Sequence, residues 1–132
     1  MDNKILEQEK VLLVGVISQK NNESLVQEHL EELCLLVKTA GAEVVGRITQ
    51  KVSKINPATL IGAGKAKQII SQAEGIGVKI IIFDDELSPA QMKNYHKISK
   101  NIKILDRNGL ILDIFKKHAQ TKEAITQVDL AY

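Results

Sequence analysis

Two apolar runs, residues 11–17 without interruption and residues 78–83 with Lys79 as the one polar residue, constrain the fold of this chain more than any other feature. Each run has the length of a strand, and neither shows the clean alternation of apolar and polar side chains that marks a strand with one face in water. A strand of this kind is buried on both faces, and such strands occur in parallel sheets with helices on both sides. The two runs therefore predict an α/β fold with a parallel sheet at its centre.

Strands and helices alternate along the rest of the chain. Two further strands are predicted at residues 44–52 and 103–105, and the first of them has the partial alternation of a strand nearer an edge. Helices are predicted over residues 23–40, 63–74, 88–100 and 110–115. The order β-α-β-α-β-α-β-α predicts a mostly parallel four-stranded sheet flanked by helices, in Rossmann-like β-α repeats.

Local chemistry predicts the start of one helix and the position of one turn. Ser88 as N-cap, Pro89 at the first helical position and Gln91 at the third form a capping box, which fixes the start of the third helix. A turn over residues 106–109 is predicted to separate the last strand from the last helix.

The length of 132 residues fits one compact domain. From Thr121 onward, apolar residues recur at helical spacing up to the end of the chain, with no glycine, proline or basic residue to end a helix. We therefore expect an α/β domain over residues 1–118 and, over residues 119–132, the start of a further helix that continues in a longer protein. A natural end, with this helix packed on the sheet, is the alternative.

Cysteine content, hydropathy and charge narrow the possible cellular compartments and binding partners of the protein. With Cys34 as the one cysteine, no intramolecular disulfide can form, and we expect the cytoplasm as the compartment. No apolar stretch approaches the roughly 20 residues of a membrane span, so no membrane contact is expected. The formal charge is −4 over residues 1–43 and +6 over residues 44–132, which suits a local contact with an anion or an RNA backbone.

The glycine-rich turn before the second helix is a candidate phosphate site. A P-loop would need a glycine where Thr59 stands and a serine or threonine where Ala66 stands, so that motif is absent. What remains is Gly62, Gly64, Lys65 and Lys67 at a helix start, where backbone N–H groups and the two lysines could converge on a phosphate. A structural glycine turn with solvated lysines explains the pattern equally well.

Acidic residues follow the second buried run directly. Asp84 and Asp85 lie where parallel sheets place their sites, at the carboxyl ends of the strands, and could bind Mg²⁺ or act as a general base. Acidic residues just before a helix are also stabilised by the helix dipole, which is the structural explanation. Asp106, at the end of the next strand, has the same two explanations.

Basic residues without acidic neighbours mark the third helix. Residues 88–105 hold four lysines, one histidine and no acid, and Lys93, Lys97 and Lys100 are spaced to share one helical face. Such a stripe can follow a phosphate backbone, although a solvated helix face is the usual explanation for a run of charge.

Four sequence blocks together resemble a known family. The blocks cover residues 59–65, 83–91, 105–115 and 127–131. In order and spacing they are similar to the N-terminal domain of HflX-type GTPases. The resemblance implies the first part of a ribosome-associated protein in which this α/β domain leads into a helical hairpin and then a P-loop GTPase domain. It also implies that the whole protein binds the large ribosomal subunit, splits stalled ribosomes and hydrolyses GTP with Mg²⁺.

For this chain, the resemblance implies a ribosome-facing domain that is not itself a GTPase, because no P-loop is present. Its expected partners are the large ribosomal subunit with its rRNA, and the helical and GTPase domains of the same protein. The cations expected at RNA phosphates are Lys93, Lys97, Lys100 and Arg107, together with Lys65 and Lys67. No cofactor is expected in this chain, with one alternative: some family members bind ATP through this region, which would use the glycine turn with Asp84 and Asp85. A protein-interaction module is a further alternative.

Overall fold

A parallel sheet forms the centre of the protein in the computed structural model, which describes residues 8–114 and 116. Its strands are β1 (Lys10–Ile17), β2 (Glu43–Lys51), β3 (Ile80–Phe83) and β4 (Lys103–Asp106). The helices are α1 (Glu23–Thr39), α2 (Ala63–Gly75) and α3 (Pro89–Ile98), and residues 107–114 begin a fourth, α4. The strand order is β2-β1-β3-β4 and every pair is parallel, so the predicted α/β class is confirmed, with β2 at an edge.

Alternate residues of β1 face two separate layers, which explains why its sequence is apolar throughout. Leu12, Val14 and Val16 pack with residues of α2 and α3 on one face of the sheet. Val11 and Leu13 pack with residues of α1 and α4 on the other. Every residue from 11 to 17 is consequently buried, and the strand shows no polar alternation.

The predicted capping box at Ser88 is confirmed, but α3 is shorter than expected. The Ser88 hydroxyl accepts from the Gln91 backbone N–H at 3.1 Å, and the Gln91 side-chain oxygen Oε1 accepts from the Ser88 backbone N–H at 2.9 Å. The helix ends at Ile98, where Ser99 turns to an extended conformation and its hydroxyl donates to Glu74 of α2 at 3.1 Å. Lys100 therefore lies beyond the helix, and the prediction that it continues a helical stripe from Lys93 and Lys97 is wrong.

The predicted turn over residues 106–109 is also wrong, because helical structure begins at residue 107, directly after β4. Asp106 makes this abrupt change possible. One of its carboxylate oxygens accepts from the Gly109 N–H at 2.8 Å, which satisfies a donor in the first turn of α4, and the other accepts from the Leu87 N–H at 2.9 Å. The side chain thus fixes the start of α4 against the loop after β3.

The predicted domain boundary at residue 118 and the helix expected over residues 119–132 lie outside the described residues. Over residues 8–114 and 116, no helix is long and apolar enough to cross a membrane.

Candidate functional site

The carboxyl ends of β1 and β3 lie side by side at the topological switch point of the sheet, where the order of the strands reverses. From β1 the chain crosses to β2 on one side, and it later returns to β3 and β4 on the other. Open α/β sheets bind ligands in the crevice outside such a switch point. Asp84 and Asp85 follow β3 there, as predicted, and the Asp84 N–H donates to the Val14 carbonyl at 2.9 Å.

Asp84 is already engaged by a cation of the same protein. Arg107, at the start of α4, donates from both Nε (2.9 Å) and Nη2 to one Asp84 oxygen, and His29 Nδ1 lies 3.5 Å from the other. Arg107 Nη2 also donates to the His29 carbonyl at 2.8 Å, and Nη1 lies 3.8 Å from Glu32. These contacts join α1, β3 and α4 in one polar cluster, which we call the switch-point cluster: His29, Glu32, Asp84, Asp85 and Arg107.

Asp85 is the group of this cluster whose acidity the fold changes most clearly. Burial raises the pKa of its carboxyl group, and the nearby negative charge of Asp84 raises it further. A backbone hydrogen bond from Val16 and the charge of His29 act in the opposite direction. An environment that disfavours the charged form of a carboxyl group weakens it as a ligand for a cation, and this works against the predicted magnesium site.

The other contacts of these carboxylates do not support the predicted magnesium site either. Asp84 already pairs with Arg107, and the described residues contain no group of three or more His, Cys, Asp or Glu side chains that could hold a metal ion. The pairing of Asp84 with Arg107 competes with a bound Mg²⁺, and the metal site at Asp84 and Asp85 stays a prediction. Arg107, predicted to contact RNA, directs its guanidinium into the protein, and its role at RNA stays a prediction.

The glycine turn before α2 has an uncapped helix start with open space in front of it. Gly62 is the N-cap residue at φ +92°, where no side chain caps the helix, and Leu60 before it also has a positive φ of 70°. A Cβ atom added to Gly62 or Gly64 would meet no atom within 4 Å. Lys65 and Lys67 are exposed on the helix that follows.

Helix α3 holds this turn in place. The Tyr95 hydroxyl donates to the Thr59 carbonyl at 2.7 Å, and the Gln91 amide donates to the Asn56 carbonyl at 3.1 Å. Burial raises the pKa of the Tyr95 hydroxyl, which therefore stays protonated as a donor at neutral pH. The two helices that carry the predicted cations are thus fixed to each other through the loop between β2 and α2.

Two grooves on this side of the protein hold four of the six predicted cations. The α2–α3 groove has a volume of about 440 Å³ and brings Lys67 of α2 together with Lys97 of α3. The α3–β4 groove has a volume of about 580 Å³ and is lined by Lys93, His96, Lys100 and Lys103. Lys65 lines neither.

Within the part of the chain that the structure describes, none of these lysines forms an ion pair, although Glu74 also lines the α2–α3 groove. The ion pairs of that part involve only the side chains of Arg47, Arg107 and His29 as cations. We call the following residues the lysine surface: Lys67, Lys93, Lys97, Lys100 and Lys103. Sequence spacing identified the lysines, but it indicated neither their division into two grooves nor the part of His29 in the switch-point cluster.

Comparisons with known proteins point consistently to one family. A family model described as "GTP-binding GTPase N-terminal" matches residues 27–116. The chain is 45% identical to the GTPase HflX of Flavobacterium psychrophilum over 131 residues, which cover 99% of this chain and 32% of that protein. It is 36% identical to the GTPase HflX of Escherichia coli over 123 residues, covering 93% of this chain and 28% of that protein. The chain thus spans about a third of the length of the curated relatives it matches.

Solved structures agree with these matches. A crystal structure of a protein named SsGBP in complex with GDP has a TM-score of 0.63 and 29% identity, covering 92% of this chain and 33% of that one. A GTP-binding protein of the archaeon Sulfolobus solfataricus in complex with GDP has a TM-score of 0.60 and 24% identity, covering 82% and 30% of the two chains, and supports the fold alone.

Proposed function

We propose, from the premise that this chain belongs to the GTP-binding GTPase N-terminal family of HflX proteins, that it is the RNA-facing domain of a GTPase that acts on ribosomes. The resemblance found in the sequence is thereby confirmed at the level of the family. The domain binds the large ribosomal subunit in the cytoplasm through the lysine surface. GTP hydrolysis and the splitting of stalled ribosomes belong to the whole protein, in which a helical domain and a GTPase domain accompany this one.

The lysine surface is the observation that carries the proposal. Residues 88–105 supply four lysines without one acidic residue, and α2 adds Lys67 on the opposite side of α3. All five lysines are exposed, so their charges can reach a ligand without first breaking an ion pair of the described protein. Neutralising RNA phosphates with such side chains releases condensed counterions, which drives binding.

Among the described residues, burial of the two aromatic rings favours contact with phosphates over stacking on bases. The rings of Phe83 and Tyr95 pack 5.2 Å apart and are almost fully buried. Proteins that bind single strands rely on exposed aromatic rings, and neither of these two rings is available for that. The lysines would therefore follow the backbone of folded RNA.

The experiment compares two charge-reversed variants for sedimentation with large ribosomal subunits. In the test variant, four lysines of the lysine surface become glutamate: K67E, K93E, K97E and K100E. In the matched control, four exposed lysines elsewhere do so: K20E, K38E, K51E and K54E. Both variants carry the same net charge, and circular dichroism checks that both are folded.

We expect the test variant to bind at least about 100-fold more weakly than the control variant, because phosphate contacts dominate such affinities. Equal binding by the two variants would show that only net charge matters and would remove the assignment of the lysine surface. Single reversals of Lys65 and Arg107 then test the two predicted cations that line neither groove. Since Arg107 is held by Asp84, we expect its RNA contact to be the weaker of the two.

The uncapped start of α2 supports a second candidate, the binding of a nucleotide phosphate. Its first N–H groups have no side-chain partner at Gly62, and the space in front of Gly62 and Gly64 is open. Lys65 and Lys67 would add positive charge. Calorimetry with ATP and Mg²⁺ tests this candidate: heat that disappears in a Lys65→Glu variant supports it, and no heat at about 1 mM ATP removes it.

A further inference from the structure

We propose that the open edge of β4, with the α3–β4 groove beside it, binds an extended acidic peptide as an added strand of the sheet. This interaction surface goes beyond the proposed contact with RNA. Three observations carry it: the unpaired strand edge, the apolar floor of the groove and the cations around it.

The edge of β4 offers unpaired backbone groups. Among the described residues, β4 pairs only with β3. The Lys103 N–H points toward β3, since it donates to the Lys79 carbonyl at 2.7 Å. Successive residues of a strand direct their backbone groups to opposite sides, so the N–H and C=O of Ile104 point away from β3. An edge of this kind is a template for pairing with another strand.

The groove provides room for side chains of such a strand. Its volume is about 580 Å³, and Met92, Ile102 and Ile104 contribute apolar surface to its lining. Since side chains of a strand alternate between its two faces, every second residue of an added strand would meet this floor. Those residues should be apolar.

Charge selects the remaining residues of the peptide. Lys93, Lys100 and Lys103 also line the groove, together with His96, and residues 88–105 contain no acid that could neutralise these three lysines. Glutamate or aspartate between the apolar residues would satisfy these cations. RNA phosphates would also satisfy the lysines, but they would leave the Ile104 backbone groups and the apolar floor unused, so the combination favours a peptide.

The peptide and RNA share Lys93, Lys100 and Lys103 but differ in their other contacts. The α2–α3 groove, with Lys67 and Lys97, is part of the proposed RNA contact and has no role for the peptide. A double variant in the α3–β4 groove should weaken binding of both the peptide and RNA, whereas a double variant in the α2–α3 groove should weaken binding of RNA alone. The two variants therefore separate a failure of this inference from a failure of the proposed function.

The experiment measures fluorescence anisotropy of a labelled peptide of about eight residues in which Glu and Val alternate. We expect binding by the whole chain to weaken about tenfold or more in the variant K93Q/K103Q and to change less than about twofold in K67Q/K97Q. Peptides N-methylated on alternate residues, one for each register, remove the N–H groups that an added strand needs. We expect one of the two to lose binding.

Hydrogen exchange supplies the direct readout of strand pairing. The Ile104 amide should become protected when the Glu-Val peptide is added and should stay unprotected with an RNA duplex. Equal binding of both N-methylated peptides, equal binding of a peptide in which Lys replaces Glu, or an unchanged Ile104 amide would each overturn the proposal. Absence of binding at about 1 mM peptide would overturn it as well.

Discussion

Replacement of Arg107 by methionine should destabilise this domain by about 2–3 kcal/mol, because it leaves the buried carboxylate of Asp84 without its cation. The side chain of Asp84 is 9% exposed and that of Arg107 is 27% exposed. The substitution removes two charged donors from Asp84 and one from the His29 carbonyl while keeping an apolar side chain of similar length.

The magnitude follows from burial. Removal of one partner from a fully buried ion pair costs about 3–5 kcal/mol, since the remaining charge loses both water and its partner. Arg107 is about one quarter exposed, so water can partly replace it beside Asp84, and we expect a cost of about 2–3 kcal/mol, below that range. For a domain of this size we expect a fall in Tm of about 10 °C.

Urea unfolding followed by circular dichroism measures the effect, and Arg47→Met is the matched control. Arg47 pairs with Glu31 on the surface, where the two side chains are 34% and 64% exposed, and exposed pairs contribute little to stability. The double variant R107M/D84N should recover part of the loss, because it removes the stranded charge. If R107M cost no more than R47M, the switch-point cluster would not stabilise the fold as described.

Three further predictions concern stability. Tyr95→Phe should cost about 1–2 kcal/mol in urea unfolding, because the Thr59 carbonyl loses a buried donor at 2.7 Å, and an unchanged midpoint would contradict this. Gly15→Ala should cost about 1–3 kcal/mol by the same assay, since the new Cβ would lie 2.7 Å from Val26 Cγ1, and a neutral result would show that α1 shifts freely. Asp85→Asn should raise Tm at pH 7. Burial raises the pKa of Asp85, so its ionised form costs stability above that pKa, and the gain should shrink as the pH falls toward 3.8, the ordinary value. A lower Tm at pH 7 would contradict the sign.

The sheet and most helix starts could be predicted because short segments determine them. Residues 11–17 are apolar throughout because both faces of β1 are covered, and that requirement is visible in the sequence itself. Ser88 and Gln91 cap α3 through atoms only three residues apart. Local chemistry of this kind leaves a direct pattern in the chain.

The predictions that failed depended on contacts between distant residues. Residues 106–109 look like a turn locally, but Asp106 also accepts from the Leu87 N–H, 19 residues away, and caps a helix instead. The lysine stripe breaks because Ser99 ends α3 and bonds to Glu74, 25 residues away. Arg107 is likewise 23 residues from Asp84, so spacing gave no sign that it is held inside the protein.

The salt dependence of binding to large ribosomal subunits tests the central proposal most directly. The affinity is measured at several KCl concentrations for the natural chain and for a variant in which four lysines of the lysine surface are neutralised: K67Q, K93Q, K97Q and K100Q. If each of the five lysines of the lysine surface meets one phosphate, the slope of log K against log[KCl] should be about −4 for the natural chain and about −1 for the variant, which keeps Lys103. Equal slopes for the two proteins, or a natural chain whose affinity does not respond to salt, would contradict the assignment of the lysine surface to RNA.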